Sequence, residues 1–363
     1  MEVVPSALAA LGMREFDNTL GLRDCTGGCV LLIDGLGAEL LDAHADAAPV
    51  ITELRAGTLH VGFPSTTAAG LAALGTGVCS GQHGMVGYSF ELPEVGVLNA
   101  LRWRQHPWGE DLRSSVVPEE VQPMPTTFER AAAAGLGVRV ISGAEFTGSG
   151  LTRAVLRGGR YVGVHALGDL AASVVAGLTE GAFCYGYHAQ LDMLGHVYGP
   201  GSAAWRMQLH QVDRLVESIV DAMPAGTFLA VVADHGMVEL DESVVDADAQ
   251  GLLRAGVRAI GGEVRARHVY ADDGAHADVL AAWRETLGER AWVVTREEAV
   301  EAGWFGASVP AAVLPRIGDV VAAARGRSGV LLRQVERLES ELLGHHGSLS
   351  SAEQFVPLAV AYG

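Results

Sequence analysis

Four short apolar runs, each containing or bounded by glycine, limit the possible folds of this chain more than any other feature. Unbroken runs of this length are typical of strands that are buried on both faces of a sheet. They are CVLLIDGLG (29–37), VRVISGA (138–144), AFCYGYH (182–188) and FLAVVADHG (228–236). Helical patterns separate them, and FVPLAVAYG (355–363) is apolar enough to be a last core strand. This alternation predicts a layered α/β domain with a largely parallel sheet.

The clearest helical pattern covers residues 203–223, where apolar side chains recur at helical spacing among charged ones. We expect the apolar stripe to face the sheet. Its predicted members are Met207, Val212, Leu215, Ile219 and Met223.

The segment 251–330 has a different rhythm, with short strand-like and helical patterns that follow one another closely. We therefore expect one domain over residues 1–363, in which 251–330 is a small inserted α+β subdomain.

Composition excludes several classes of function. The chain has 363 residues, 43 of them acidic and 25 basic, for a net charge of −18. That balance argues against a nucleic-acid backbone as partner, although a bound metal could still hold a small anion locally. All the basic residues are arginine, which excludes a Schiff-base lysine and the lysine of a phosphate-binding P-loop.

The four cysteines are too few for a disulfide scaffold of this length. The first residues lack a basic start and a long apolar run, and no apolar stretch reaches membrane-spanning length. We expect a cytoplasmic protein without membrane association, with homo-oligomerisation left open.

The stretch FPSTTAAGLAALGTG (63–77) places three hydroxyl residues before a helical pattern of alanine and leucine. Serine and threonine commonly cap helix N-termini. The same position suits a nucleophile, because a helix N-terminus attracts anions. This stretch by itself leaves both readings open.

Acidic residues and histidines recur at or shortly after the predicted strands, where sites form in open α/β sheets. Each could be a turn, cap or packing residue if taken alone. Together they are a coherent set of oxygen and nitrogen ligands that could hold two metal ions around a phosphoryl group. The set is Asp34, Asp192, His196, Asp234, His235, His345 and His346.

The order of five motifs resembles the alkaline phosphatase superfamily, and more narrowly the type I phosphodiesterase/nucleotide pyrophosphatase family. The motifs are LLIDGLG, FPSTTAAGLAALGTG, LDMLGHVYGPG, VVADHGM and HHGSLSSAEQFVPL, and the resemblance runs from about residue 29 to the C-terminus. It implies a three-layer α/β/α sandwich and hydrolysis of phosphodiester or nucleotide pyrophosphate bonds.

The resemblance also implies two divalent metal ions, usually zinc in the family, and the ligand types do not forbid manganese. One ion would be held by Asp34, Asp234, His235 and Thr67, and the other by Asp192, His196 and His346. His345 would then be a neighbour behind the ligands. By the family's spacing Thr67 is the nucleophile that forms a phosphothreonine intermediate, whereas Ser65 and Thr66 remain capping residues.

One departure concerns the substrate. Where the nucleotide pyrophosphatase branch carries an asparagine that holds a phosphoryl oxygen, this chain has Tyr88, and Asn99 could replace the amide from further along. We list both as substrate-binding candidates. Trp103 and Trp108 could floor a base-binding pocket or merely pack.

The expected substrate is a small phosphodiester or nucleotide. An alternative is that the same site hydrolyses phosphate monoesters or a phosphonate such as phosphonoacetate. A catalytically inactive binding module is a third reading, but it would need a broken ligand set, and every ligand is present.

Overall fold

Strands and helices alternate along the chain in the computed structural model, which describes residues 1–363. The strands are β1 (Gly27–Ile33), β2 (Arg55–His60), β3 (Ser89–Leu92), β4 (Gly96–Asn99), β5 (Arg104–Gln105), β6 (Val138–Gly143), β7 (Arg160–Val164), β8 (Phe183–His188), β9 (Thr227–Val232), β10 (Val238–Glu239), β11 (Val245–Asp246), β12 (Val257–Glu263), β13 (Ala266–Ala271), β14 (Ala291–Thr295), β15 (Val320–Ala324), β16 (Val330–Leu331), β17 (Gly344–His345) and β18 (Phe355–Tyr362).

The α-helices are α1 (Val3–Ala10), α2 (Ala38–Ala43), α3 (Pro49–Glu53), α4 (Thr67–Thr76), α5 (Ser80–His83), α6 (Pro118–Val121), α7 (Thr127–Ala133), α8 (Gly150–Val155), α9 (Leu167–Thr179), α10 (Gln190–Tyr198), α11 (Ala203–Ala222), α12 (Gly251–Arg254), α13 (His276–Leu287), α14 (Arg296–Glu301) and α15 (Ser351–Gln354). Short 3-10 helices lie at Ala45–Ala47, Ala144–Phe146, Gly288–Arg290, Leu314–Arg316 and Glu339–Glu341.

The central sheet has seven strands in the order β2-β18-β9-β1-β8-β6-β7. The five strands from β9 to β7 are mutually parallel, and β18 is antiparallel to both of its neighbours. The four apolar runs form β1, β6, β8 and β9, and the last run forms β18, which confirms the expected mostly parallel sheet.

The central strands are buried on both faces, which explains their unbroken apolar sequences. Every residue of β1 is buried. Val30 and Leu32 belong to a core that also contains side chains of α1 and α4. Leu31 and Ile33 point the other way, into a second core with side chains of α9 and α11. Helices therefore cover both faces, and the expected three-layer sandwich is confirmed.

Helix α11 has almost the predicted limits, and it begins where the Ser202 side chain accepts a hydrogen bond from the Trp205 amide. The predicted stripe is wrong at Met207, which is 71% exposed. At 3.6 residues per turn, five residues separate Met207 from Val212 by about 140° around the helix. Trp205 and Leu209 occupy the buried face instead.

No helix of the structure is both long and apolar enough to cross a membrane.

A second, smaller sheet is antiparallel and has the strand order β12-β13-β15-β14. Its strands all lie within residues 251–330, the segment with the different sequence rhythm. Val279 and Trp283 of α13 are buried in a third core with side chains of this sheet.

Parallel strand ends set the position of the candidate site. Strands β9, β1 and β8 are adjacent in the sheet, so their carboxyl ends meet at one edge. Asp34 directly follows β1, Asp234 lies two residues beyond β9, and Asp192 is on α10 after β8. Chain topology therefore gathers three carboxylates that are far apart in sequence.

Candidate active site

The first group at this edge surrounds Thr67, the first residue of α4. The Thr67 hydroxyl oxygen lies 3.2 Å from His235 Nε2 and 3.5 Å from Asp34 Oδ2. His235 Nε2 also lies 3.2 Å from Asp34 Oδ1 and 3.7 Å from Asp234 Oδ2. Four of the predicted site residues thus lie together, and their side chains are buried.

The second group lies on α10 and just after β17. His196 Nε2 is 3.2 Å from Asp192 Oδ2, one helical turn away, and 3.2 Å from His346 Nε2. His346 Nε2 is also 3.8 Å from Asp192 Oδ1. The two groups adjoin, because the rings of His235 and His346 stack with their centroids 3.6 Å apart.

Three histidines of the site share one orientation. Each directs Nδ1 at a backbone carbonyl, which can only accept, so Nδ1 donates and Nε2 faces the carboxylates. Hydrogen bonds of this kind orient histidine ligands in metal sites. The acceptors are Gly236 O at 2.9 Å for His235, Gly344 O at 2.7 Å for His196 and Ser65 O at 2.9 Å for His346.

The carboxylates carry unsatisfied oxygen atoms. Asp34 Oδ1, Asp192 Oδ1 and Asp234 Oδ2 are buried and have no hydrogen-bond partner. Leaving such atoms unpaired inside a protein is costly. A divalent cation would satisfy them, since carboxylate oxygen and imidazole nitrogen are ordinary zinc ligands. The residues therefore fit metal ions. Two sets have ligand atoms within 4.8 Å of one another: Asp34, Asp234 and His235, and Asp192, His235 and His346.

The pKa shifts reflect the crowding of negative charge. Burial raises the pKa of Asp34, and the charge of Asp192 raises it further. Burial and the charge of Asp34 likewise hold the pKa of Asp234 well above its ordinary value. Burial also raises the pKa of Asp192, but His196 and His346 outweigh it, and the net shift is downward. The surrounding side chains thus leave this negative charge only partly balanced.

The hydroxyl residues before Thr67 do not cap α4, so that prediction is wrong. Thr66 occupies the N-cap position, but its side chain makes no capping hydrogen bond. The Ser65 hydroxyl instead donates to Ser348 O at 2.7 Å. The cause is tertiary: Ser65 forms an isolated antiparallel bridge with Gly347, directly after His346.

Gly70 of α4 lies against one of the predicted metal ligands. At this position a Cβ atom would lie 2.6 Å from Asp234 Cβ. Glycine at this position therefore allows Asp234 to approach the helix.

Tyr88 and Asn99 contact each other. The Asn99 amide donates to the Tyr88 hydroxyl at 2.7 Å, and that hydroxyl donates to Glu339 Oε1 at 3.3 Å. Asn99 is completely buried, whereas Tyr88 is only partly so.

The two tryptophans of the following stretch differ in exposure. Trp103 is fully buried and its indole donates to Val116 O, so it packs in the core and floors no pocket. Trp108 is 44% exposed. The central carbon of the Arg102 guanidinium lies over its ring, 5.6 Å from the ring centroid.

Glu263, at the end of β12, is a site neighbour that sequence reasoning missed. Its Oε2 atom lies 3.6 Å from His346 Nδ1. Burial raises its pKa to about 8, and the neighbouring Thr66 side chain opposes that rise. The only local signal is an acidic residue after two glycines, and nothing there relates it to a histidine more than eighty residues away.

Solved structures of similar fold include two hydrolases. Murine ectonucleotide pyrophosphatase/phosphodiesterase 5 superposes with a TM-score of 0.72 at 16% identity, over 92% of this chain and 87% of that chain. Phosphonoacetate hydrolase from Sinorhizobium meliloti 1021, solved with phosphonoformate, gives 0.68 at 21% identity, over 92% and 89%. These likenesses establish a shared fold.

A curated relative matches only a short segment. GPI ethanolamine phosphate transferase 3 from Eremothecium gossypii is 38% identical over 52 residues, which is 14% of this chain and 5% of that protein. The model of a whole family matches far more, from residue 29 to residue 349. On the strength of that match, the chain belongs to the type I phosphodiesterase/nucleotide pyrophosphatase family.

Proposed function

We propose that this protein hydrolyses phosphodiester or nucleotide pyrophosphate bonds of a small-molecule substrate at a two-metal site. Asp34, Asp234, His235 and Thr67 would hold one divalent ion, and Asp192, His196 and His346 the other. Zinc suits these ligands and manganese is compatible with them. Bound ions would neutralise the phosphoryl oxygens and make the Thr67 hydroxyl more acidic.

Thr67 is the proposed nucleophile. Its oxygen would form the bond to phosphorus as the leaving alcohol or phosphate departs. Water would then cleave the resulting phosphothreonine ester and regenerate the hydroxyl. The position at the start of α4 supports this role, because the first amides of a helix have no intrahelical partner and can donate to phosphoryl oxygens.

The charge balance around the site is the observation that favours diesters. Every ion pair within the two groups joins a histidine to an aspartate. Two buried arginines of the smaller sheet are already engaged: Arg265, in the turn before β13, by Glu353, and Arg267 of β13 by Glu336. A phosphate monoester carries up to about one more negative charge than a diester at neutral pH. Neither of these paired arginines is free to bind the additional charge of a monoester.

Tyr88 and Asn99 are proposed to act as a pair on the substrate. Because Asn99 is buried and donates to the Tyr88 hydroxyl, it would orient the tyrosine. Tyr88 would then make the direct contact.

Phosphonate hydrolysis is the second candidate. The fold likeness to phosphonoacetate hydrolase keeps it open. A phosphonate dianion, however, meets the same lack of free positive charge as a monoester.

Two further features complete the proposal. We propose that residues 251–330 are a subdomain inserted in a single domain. We also propose a reducing, cytoplasmic setting, with which four free cysteines are compatible.

Metal removal tests this proposal. The purified protein is dialysed against a chelator and assayed on bis(4-nitrophenyl) phosphate, and its metal content is measured in parallel. We expect hydrolysis to vanish and to return when about two equivalents of zinc or manganese per chain are bound. Full activity in the metal-free protein would refute the mechanism.

A further inference from the structure

Glu263 belongs to the smaller sheet, yet its side chain reaches the candidate metal site. Its carboxylate faces the Nδ1 side of His346, at 3.6 Å. The other oxygen, Oε1, is buried and has no hydrogen-bond partner. A carboxylate in this place is too constrained to be a solvated surface group.

The chain around His346 has no spare room beside this side chain. A Cβ atom on Gly347 would lie 2.8 Å from Glu263 Cγ, and Gly347 has a φ of 131°, which other residues rarely adopt. Gly347 in turn bridges to Ser65, two residues before Thr67. Glu263 therefore packs against the backbone that joins the His346 segment to the nucleophile segment.

The strand pair that carries Glu263 is anchored to the same region at a second point. Arg265, in the turn between β12 and β13, forms a fully buried ion pair with Glu353 at 2.7 Å. Glu353 also accepts from the Ser348 amide at 3.0 Å. The turn is thus bound to the chain just beyond His346, which limits how far Glu263 can move.

We propose that Glu263 is a positioning residue for His346, through which the smaller sheet contributes to metal affinity. This inference rests on the two-metal site of the proposed function. His346 Nδ1 would be held between Ser65 O and the Glu263 carboxylate. A carboxylate beside a ligand imidazole fixes the ring and raises its basicity, and loss of such a partner weakens metal binding by roughly 10–100-fold.

Zinc titration of the Glu263→Gln variant tests the inference. Glutamine keeps the volume of the side chain but replaces the carboxyl group with a neutral amide that cannot ionise. Metal-free wild type and variant are titrated with zinc in competition with a chromogenic chelator. We expect one of two sites to weaken by roughly 10–100-fold, while the other site and the melting temperature of the metal-free protein stay unchanged.

Two further variants separate positioning from packing. Glu263→Ala should weaken the same site at least as much. Glu91→Gln is the matched control, because Glu91 pairs with Arg258 on the same strand β12 and lies outside the metal groups; both zinc affinities should stay as in wild type.

The failures are distinguishable. Wild type that binds no zinc would count against the proposed function itself. If Glu263→Gln bound zinc at both sites with wild-type affinity, this inference would be overturned, but the proposed function would not. Unchanged affinities with a lower melting temperature in Glu263→Ala would also overturn it, since Glu263 would then only pack.

Discussion

Three adjacent hydroxyl side chains precede or begin α4, and their partners distinguish them. Ser65 is bound to Ser348 O, Thr66 lies beside Glu263, and Thr67 lies against His235 and Asp34. Only Thr67 contacts the proposed metal ligands through its side chain, whereas Ser65 contacts His346 through its backbone carbonyl.

Substitution of the two neighbouring threonines should therefore have unequal effects. We expect Thr67→Ala to lower kcat on bis(4-nitrophenyl) phosphate by at least about a thousand-fold, as loss of a nucleophile does in other hydrolases. Zinc content should change little, because the other ligands remain. Thr66→Ala, the matched control, should stay within about tenfold of wild type. If Thr66→Ala were inactive and Thr67→Ala active, the assignment of Thr67 as the nucleophile would be wrong.

At the residue scale, the sequence predicted which residues belong to the site better than it predicted which groups their side chains contact. Asp192 and His196 were predictable because a spacing of four places them on one helix face. Ser65 was not, because its partner Ser348 lies 283 positions away and outcompetes the local capping bond.

Among the elements, α4 depends on close packing as much as on helix propensity. Gly75 lies inside the helix, where alanine ordinarily stabilises by about 1 kcal/mol. Its own Cβ, however, would lie 1.9 Å from Val155 O, at the end of α8. Backbone atoms cannot yield as a flexible side chain can.

We therefore predict that Gly75→Ala destabilises the protein by about 1–3 kcal/mol, as overpacking does. Urea unfolding of the metal-free protein measures the change. Gly168→Ala in α9 is the control, because no atom lies within 4 Å of the added Cβ there. It should be neutral or stabilising, and equal effects of the two substitutions would contradict this account.

The limits of elements were predictable where burial alone decides them. Strands β1, β6, β8 and β9 are buried over nearly their whole length, so their apolar runs mark their bounds within a few residues. Periodicity failed at Met207, because the choice between two nearby helix faces depends on where the sheet lies.

Across the whole molecule, buried ion pairs connect the smaller sheet to the rest of the chain. Glu336, ten residues before His346, binds Arg267 of β13 and His106 beside β5. Burial raises the pKa of Glu336, but the charges and hydrogen bonds of Arg267 and His106 together outweigh that effect and lower it to about 2.

This shift predicts a pH-dependent contribution to stability. The folded pKa lies below the ordinary value of 4.5. The contribution is therefore complete above about pH 4.5 and declines as pH falls towards 2. Breaking a buried pair costs about 3–5 kcal/mol, so Glu336→Gln should be clearly less stable than wild type at pH 7.

Urea unfolding of metal-free wild type and Glu336→Gln at pH 7, 5 and 4 measures the difference between them. The difference should shrink towards pH 4, because only wild type carries the titrating carboxylate. A difference that does not depend on pH would show that Glu336 contributes through packing alone.

The architecture could be predicted from the sequence because buried strands and ordered motifs can both be recognised in short stretches of residues. The contact between β12 and the site could not be predicted in this way. Glu263 reaches His346 only because a separate sheet docks there, and no local pattern encodes that docking.

The central claim is that the site cleaves phosphodiesters, and the most direct test compares two substrates on one preparation. The metal-loaded protein is assayed for kcat/KM on bis(4-nitrophenyl) phosphate and on 4-nitrophenyl phosphate. Because no arginine forms an ion pair within the two ligand groups, we predict a higher kcat/KM for the diester. A higher value for the monoester would contradict the account.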